Sequence, residues 1–151
     1  MAEAMKVTEF LSPSATAIDV EANDKADLLR ALANRAAAVL TLSAEAIANE
    51  IEKRDELGST GIGGGVGIPH ARFREVMKPF GLLVRLKQPI DFAAVDAQPV
   101  DIVFLLVLPA SSQLDQLNAL AAVARKLRDR EVLHRLRAAR SSSELYRAVA
   151  E

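Results

Sequence analysis

Apolar residues recur at helical spacing in several segments of the chain. In the first of them, Leu28, Leu32, Ala36 and Val39 lie three or four positions apart, and Asp24 is placed to cap the start. A serine precedes three other segments in the same way, namely Ser43, Ser112 and Ser141. The pattern predicts five helices, over about 25–40, 44–57, 113–127, 129–139 and 142–149.

Two runs of aliphatic residues predict strands. The first, GLLVRL, covers Gly81–Leu86, and the second, VDIVFLLVLP, covers Val100–Pro109. The second run is almost uniformly apolar, so we expect it to be buried on both faces. A weaker strand is expected over 15–20, and the IDF segment after Pro89 is expected to form a brief edge segment.

The order of these elements predicts the fold class. A strand, two helices, a glycine-rich loop, two strands and three helices are typical of an α/β sandwich with a mixed sheet. We expect a single domain over residues 15–151, and residues 1–14 are expected to form a loosely ordered lead-in.

Composition narrows the classes of function. Half of the 151 residues are apolar but only 4% are aromatic, so the core must be aliphatic. The net charge of −1 disfavours a basic nucleic-acid binder, and the absence of cysteine excludes a thiol nucleophile. The longest apolar run, Ile102–Ala110, falls short of the roughly 20 residues that a membrane-spanning helix needs. No secretory signal is recognised at the start, and a cytoplasmic location is expected.

Six of the seven glycines lie between Gly58 and Gly67, in the segment GSTGIGGGVGIPHARF. Two phosphate-loop patterns do not fit it. The pattern GxxxxGK[ST] requires a Gly-Lys pair, which the chain lacks, and GxGxxG fails in every register. A nucleotide-binding loop is therefore disfavoured.

His70 is the candidate reactive group of this segment. A neutral imidazole can act as a nucleophile, a base or a metal ligand, although a purely structural histidine is the alternative. No cluster of His, Asp and Glu surrounds it in the sequence, so neither a metal site nor a cofactor is predicted. A serine hydrolase is disfavoured because the GxSxG pattern is absent. His134 lies in the basic tract RKLRDREVLHRLRAAR, which is typical of a solvated helix face.

The segment RDELGSTGIGGGVGIPHAR resembles the phosphorylation-site signature of the fructose/mannitol/nitrogen-type IIA proteins of the bacterial phosphoenolpyruvate-dependent phosphotransferase system. RLKQPIDFAAVDAQPVDIVFLLVLP and LNALAAVARKLRD are similar to that family as well, and the likeness covers about residues 14–149. The chain is most similar to the nitrogen-regulatory members. The resemblance implies a mixed sheet of about five strands with helices on both sides.

The resemblance also implies a function. His70 would accept a phosphoryl group from a histidine-containing phosphocarrier protein, and a regulated protein or a IIB domain would respond to the phosphorylated form. No nucleic-acid partner and no insertion into a membrane are expected. Arg54 matches the arginine that precedes the family's glycine segment, and its planar guanidinium can chelate phosphoryl oxygens. Ser59 and Thr60 can donate hydrogen bonds to a phosphoryl group or form the turn after Gly58, and both interpretations stay open.

Gln116 is a departure from the family pattern. The family usually carries a second active-site histidine at this position, at the start of a helix with the pattern HLxxLAxxA, whereas this chain reads QLNALAAVA. A glutamine amide can donate a hydrogen bond but cannot take up a proton. Our hypothesis is that phosphorylation of His70 persists while onward transfer or stabilisation of the phosphoryl group is altered.

Three functions follow from these observations. The first is a nitrogen-regulatory IIA protein, and the second is a sugar-specific IIA protein that passes its phosphoryl group to a IIB domain. The third is a module that has lost transfer and acts by docking alone. For the first function, the apolar residues Phe73, Val76 and Met77 near His70 are candidates for the partner-binding face, or else they pack on the core.

Overall fold

The computed structural model describes residues 4–151, and within this range the chain forms six strands and five α-helices. The strands are β1 (Thr16–Val20), β2 (Gly61–Gly63), β3 (Val66–Gly67), β4 (His70–Phe73), β5 (Phe80–Ile90) and β6 (Val100–Pro109). The helices are α1 (Lys25–Ala37), α2 (Ala44–Glu56), α3 (Gln113–Arg128), α4 (Arg130–Ala138) and α5 (Ser142–Ala150). The predicted α/β class with a mixed sheet is confirmed.

The helices begin where the capping residues predict. The four predicted caps accept backbone N–H bonds of 2.8–3.2 Å: Asp24 from Asp27, Ser43 from Ala46, Ser112 from Asp115, and Ser141 from Glu144. Each of these bonds satisfies an N–H group that the first turn of a helix would otherwise leave unpaired.

Strand β6 is the centre of the sheet, whose strand order is β1-β5-β6-β3-β2, with β4 also paired to β6. Along one edge β6 pairs with β5 in antiparallel orientation. Along the other edge it pairs with β3 and then with β4 in parallel orientation. Every residue of β6 except Asp101 is buried. Because successive side chains of a strand point to opposite faces, both faces of the sheet are covered at β6.

Two groups of helices cover the sheet. Helices α1 and α2 pack against each other, and α2 also packs against β4. In the second group α4 contacts α3 and α5, while α3 packs on β6 and α5 on β1. No helix within residues 4–151 is long and apolar enough to cross a membrane.

The segment before β1 differs from its prediction. Residues 1–3 of the expected lead-in lie outside the described residues, but Val7, Phe10 and Leu11 are buried in the core. The Phe10 ring meets the Phe104 ring edge to face, with centroids 6.1 Å apart. Loose order was therefore the wrong expectation for these residues, because their apolar side chains find partners on the sheet.

The glycine-rich segment also differs, since it forms strands rather than a loop. β2 and β3 pair as an antiparallel hairpin whose tip, Gly63–Gly65, has positive φ at each residue. A Cβ atom at Gly65 would lie 2.5 Å from the Arg137 guanidinium, which donates a 2.6 Å hydrogen bond to the carbonyl oxygen of Gly64. A Cβ atom at Gly61 would lie 2.8 Å from the Ala94 backbone. The glycines thus permit a sharp turn and close packing.

The connection between β5 and β6 contains a testable source of strain. Ala97 is exposed and has φ +60°, a left-handed conformation that costs an alanine about 1–2 kcal/mol. Replacing Ala97 with glycine relieves that strain at an entropic cost of about 0.5–1 kcal/mol. We therefore expect Ala97→Gly to raise the free energy of unfolding by about 0.5–1 kcal/mol in denaturant titrations.

The matched control is Ala121→Gly, at an exposed position in the middle of α3. There the backbone is helical, so glycine should lower the free energy of unfolding by about 1 kcal/mol. A decrease of the same size at position 97 would contradict the strain argument.

Candidate active site

His70 is fixed by the pairing of its strand with β6. It is the first residue of β4 and lies opposite Leu106, while the preceding carbonyl, of Pro69, accepts a 3.0 Å hydrogen bond from the Leu106 amide. The Ile68 amide donates at 2.9 Å to the carbonyl oxygen of Thr60. Hydrogen bonds therefore hold the backbone on both sides of Pro69. The half-buried His70 side chain projects from this fixed backbone.

One hydrogen bond determines which ring nitrogen of His70 is available. The Nδ1 atom lies 2.8 Å from the carbonyl oxygen of Ile68. A carbonyl oxygen only accepts hydrogen bonds, so Nδ1 carries the proton and donates it. In the neutral ring Nε2 then has the free lone pair and is the ring atom that can act as a nucleophile.

The surroundings of the His70 ring favour its neutral form. Burial lowers the pKa of His70 below its usual value, and the guanidinium groups of Arg54 and Arg72 lower it further. The hydrogen bond to Ile68 and the negative charge of Asp55 act in the opposite direction without reversing the shift. The neutral form, in which an imidazole can act as a nucleophile, is therefore favoured at neutral pH.

His70 opens into a cleft of about 440 Å³, and its polar side chains come from three elements. Helix α2 contributes Arg54 near its carboxyl end, β4 contributes His70 and Arg72, and α3 contributes Gln116 near its start. The remaining lining residues are Glu50, Lys53, Leu57, Ala71, Leu108 and Leu120. The cleft thus combines one neutral imidazole with three cationic side chains and one acidic one.

Arg54 reaches the cleft from the last turn of α2. Its Nη1 atom donates a 2.9 Å hydrogen bond to the carbonyl oxygen of Gly58, just beyond the helix. This bond holds the guanidinium beside the cleft and ties it to the turn that follows α2. The sequence-based candidates Arg54 and His70 therefore line one cleft, and the role of Arg54 in binding phosphoryl oxygens stays a prediction.

A polar network beside the cleft fixes the end of α2. Asp55 forms an ion pair with Lys25, at the start of α1, and accepts hydrogen bonds from the Thr60 amide and hydroxyl at 3.1 and 2.9 Å. Lys25 also donates at 2.8 Å to the carbonyl oxygen of Phe92 and lies 4.3 Å from the centre of its ring. Since Asp55 follows Arg54 directly, the network also positions that arginine.

Ser59 and Thr60 lie in this network rather than in the lining of the cleft. The Ser59 hydroxyl donates at 3.2 Å to the Phe92 carbonyl, and Thr60 is buried with its hydroxyl donating to Asp55. These contacts give both residues a structural role. The structure adds no contact that supports the predicted phosphate-binding role, which stays a prediction.

Gln116 lines the cleft but is already hydrogen-bonded. Its side chain is 8% exposed, and its Nε2 atom donates at 2.9 Å to the carbonyl oxygen of Pro109, the last residue of β6. The amide thereby links the start of α3 to the end of the central strand. Its effect on phosphoryl transfer stays a hypothesis.

The three apolar candidates for a partner-binding face have different environments. Phe73 and Val76 are 8% and 7% exposed and belong to the core, so they offer little surface to a partner. Met77 is 76% exposed. Phe73 is buried because it alternates with Arg72 along β4 and points to the opposite side of the strand.

Of the cleft residues, sequence reasoning identified Arg54, His70 and Gln116 and missed the others, among which Arg72 and Leu57 bear most on function. Arg72 lies two positions after His70 on β4, and residues at this spacing in a strand share a face. That signal was hidden because the segment was interpreted as a loop. Leu57 is 85% exposed and follows the last residue of α2. His134, in contrast, is exposed on α4 and does not line the cleft.

Comparison with known proteins agrees with this geometry. The model of the family described as "Phosphoenolpyruvate-dependent sugar phosphotransferase system, EIIA 2" matches residues 9–151. The chain belongs to this family. The EIIA type 2 match includes every residue of the cleft, and it begins before the predicted domain start at residue 15.

Relatives of this EIIA type 2 chain include nitrogen regulatory and sugar-specific proteins. It is 40% identical over 146 residues to a nitrogen regulatory protein of Bradyrhizobium diazoefficiens, covering 97% of this chain and 95% of the relative. A fructose-specific EIIA component of Haloferax volcanii is 34% identical over 107 residues, covering 71% and 70%. The crystal structure of the nitrogen regulatory protein IIA-Ntr from Neisseria meningitidis superposes with a TM-score of 0.89 at 29% identity, covering 95% and 98%.

The charge arrangement around His70 can be tested by titration. We expect ring NMR signals of His70 to report a pKa below the usual histidine value of about 6.5 and a proton on Nδ1. Arg54→Gln should raise this pKa, because it removes a cation that disfavours the protonated ring.

Lys87→Gln is the matched control. His70 and Gly81 both pair with Leu106, from opposite edges of β6. Lys87 lies six residues beyond Gly81 on β5, so its position along the sheet is roughly 20 Å from that of His70. The substitution should leave the pKa of His70 unchanged. A pKa that does not move in Arg54→Gln would contradict the electrostatic coupling.

Proposed function

We propose that this protein is a nitrogen-regulatory IIA component that accepts a phosphoryl group on Nε2 of His70. The observation that carries the proposal is the hydrogen bond from Nδ1 to the Ile68 carbonyl, which leaves the Nε2 lone pair free in a neutral ring. The two guanidinium groups in the same cleft support it, because they can offset the charge of the incoming group.

The proposed donor is a phosphohistidine on a histidine-containing phosphocarrier protein. As the Nε2 lone pair of His70 forms a bond to phosphorus, the bond from phosphorus to the donor nitrogen breaks and its electron pair returns to the donor ring. No proton has to leave Nε2, because the proton is already on Nδ1. The Ile68 carbonyl stabilises the positive charge that the His70 ring gains.

The regulatory role is supported by the near full-length identity to nitrogen regulatory proteins. In this role a partner protein would respond to the phosphorylation state of His70. Leu57, at 85% exposure on the rim of the cleft, and the exposed Met77 are the apolar residues that we propose for the partner-binding face. We place the protein in the cytoplasm, where phosphoenolpyruvate, the phosphoryl source named for the family, is found.

A sugar-specific role is the second candidate, and the fructose-specific relative favours it. In that role phospho-His70 would transfer its group rapidly to a IIB domain. Incubation of the phosphorylated protein with a IIB domain separates the two candidates, because only the sugar-specific role requires fast transfer.

The proposed phosphorylation can be detected by intact-mass spectrometry at neutral to alkaline pH, where phosphohistidine is stable. The protein would be incubated with phosphoenolpyruvate, the first enzyme of the system and its histidine phosphocarrier. We expect the wild type to gain one phosphoryl group and His70→Ala to gain none, because Nε2 of His70 is the proposed acceptor atom.

No gain in a folded wild-type protein, with a donor that labels another IIA protein, would contradict phosphoryl transfer. The third function, a module that acts by docking alone, would then be favoured. Partner binding that is the same in wild type and His70→Ala would support that function.

The consequence of Gln116 can be tested with Gln116→His. An imidazole at this position can carry a positive charge toward the cleft, whereas the amide cannot. We expect the wild type to become phosphorylated. Phosphorylated Gln116→His should return its phosphoryl group to the phosphocarrier more slowly than the phosphorylated wild type does. Identical rates of formation and decay in both proteins would contradict the hypothesis.

A further inference from the structure

A second cation, Arg72, lies on the same strand as His70 and lines the same cleft. His70 and Arg72 occupy positions i and i+2 of β4, opposite Leu106 and Leu108 of β6. Side chains two positions apart in a strand point to the same face, and both of these line the same cleft. Arg72 is therefore held in position relative to His70 by the backbone of one short, paired strand.

Arg72 is also free to bind. Within residues 4–151 its guanidinium makes no hydrogen bond or ion pair with another side chain or with the backbone, and the residue is exposed. The other polar groups of the cleft are partly engaged. Arg54 donates to Gly58, Gln116 donates to Pro109, and Lys53 pairs with Glu50 at 3.4 Å.

The electrostatic field at the ring has the sign that a phosphoryl group requires. The Arg72 guanidinium lowers the pKa of His70, so its positive charge acts on the imidazole. The same charge attracts a dianionic phosphoryl group at Nε2, where the interaction is stronger because the ring is partly buried. A guanidinium can in addition donate two parallel hydrogen bonds to two phosphoryl oxygens.

We propose that Arg72 is a phosphoryl-binding residue, which together with Arg54 clamps the group on His70 from the strand side of the cleft. This inference rests on the proposed phosphorylation of His70. Arg54 approaches from α2 and Arg72 from β4, so the two cations contact different phosphoryl oxygens. Gln116 approaches from α3 and contributes no charge. In this chain the positive charge of the site therefore comes from α2 and β4.

The test is the equilibrium distribution of phosphoryl groups between this protein and a histidine phosphocarrier protein. It would be measured by intact-mass spectrometry at neutral pH, at concentrations low enough that the two proteins are not bound to each other. An equilibrium constant depends only on the free energies of the separated proteins, so it is insensitive to how Arg72 affects their docking.

We expect Arg72→Gln to shift the equilibrium toward the phosphocarrier by about tenfold, the size of one charge-assisted hydrogen bond. Arg72→Lys should shift it less, because an ammonium group supplies charge without the planar fork. Arg74→Gln is the matched control. Arg74 is exposed on the same segment, lies outside the residues that line the cleft, and has the same charge.

The outcomes distinguish this inference from the function on which it rests. If the wild type and Arg74→Gln are phosphorylated and Arg72→Gln shows the same equilibrium constant, the role of Arg72 is overturned while the proposed function stands. If the wild type is not phosphorylated, the proposed function fails and the inference fails with it. Thermal melts check folding, and if Arg72→Gln does not fold, an unshifted equilibrium in Arg72→Lys overturns the inference.

Discussion

Strand β6 hydrogen-bonds along both of its edges, to β5 on one side and to β3 and then β4 on the other. It is apolar and buried on both faces, so its position in the sheet is fixed by packing as well as by hydrogen bonds. The short strands β3 and β4 are held by this one long neighbour. The geometry of His70, at the start of β4, therefore depends on the stability of the central strand.

Two features of the site control the protonation of one ring. The Ile68 carbonyl holds a proton on Nδ1 of His70, while burial and the Arg54 and Arg72 guanidinium groups keep a second proton off the ring. The first feature leaves the free lone pair on Nε2, and the second keeps that atom unprotonated, which is the state that the proposed phosphoryl transfer requires. In the proposed function, the cations that lower the pKa of His70 would also bind the dianionic phosphoryl group, so both effects would have one physical origin.

The cleft brings together elements that are far apart in the chain, and side-chain contacts hold two of them, α2 and α3. Asp55 ties the end of α2 to Lys25 and Thr60, and Gln116 ties the start of α3 to the Pro109 carbonyl at the end of β6. Ser59, Thr60 and Gln116 thus contribute to the site at least by supporting its walls. This explains how the positions of catalytic candidates can be rigid although the cleft is open to a partner.

The sequence by itself determined the elements that local rules govern. The capping residues set the starts of the helices, the apolar run set β6, and the motif around His70 indicated the candidate for the reactive residue. Other features depended on contacts between distant segments. In the glycine-rich segment β3 and β4 formed because β6 supplies their hydrogen-bond partners, and β2 pairs in turn with β3. Val7 and Phe73 became core residues because the sheet covers them. Arg72 joined the site for the same reason, since only strand pairing decides which face of β4 a side chain occupies.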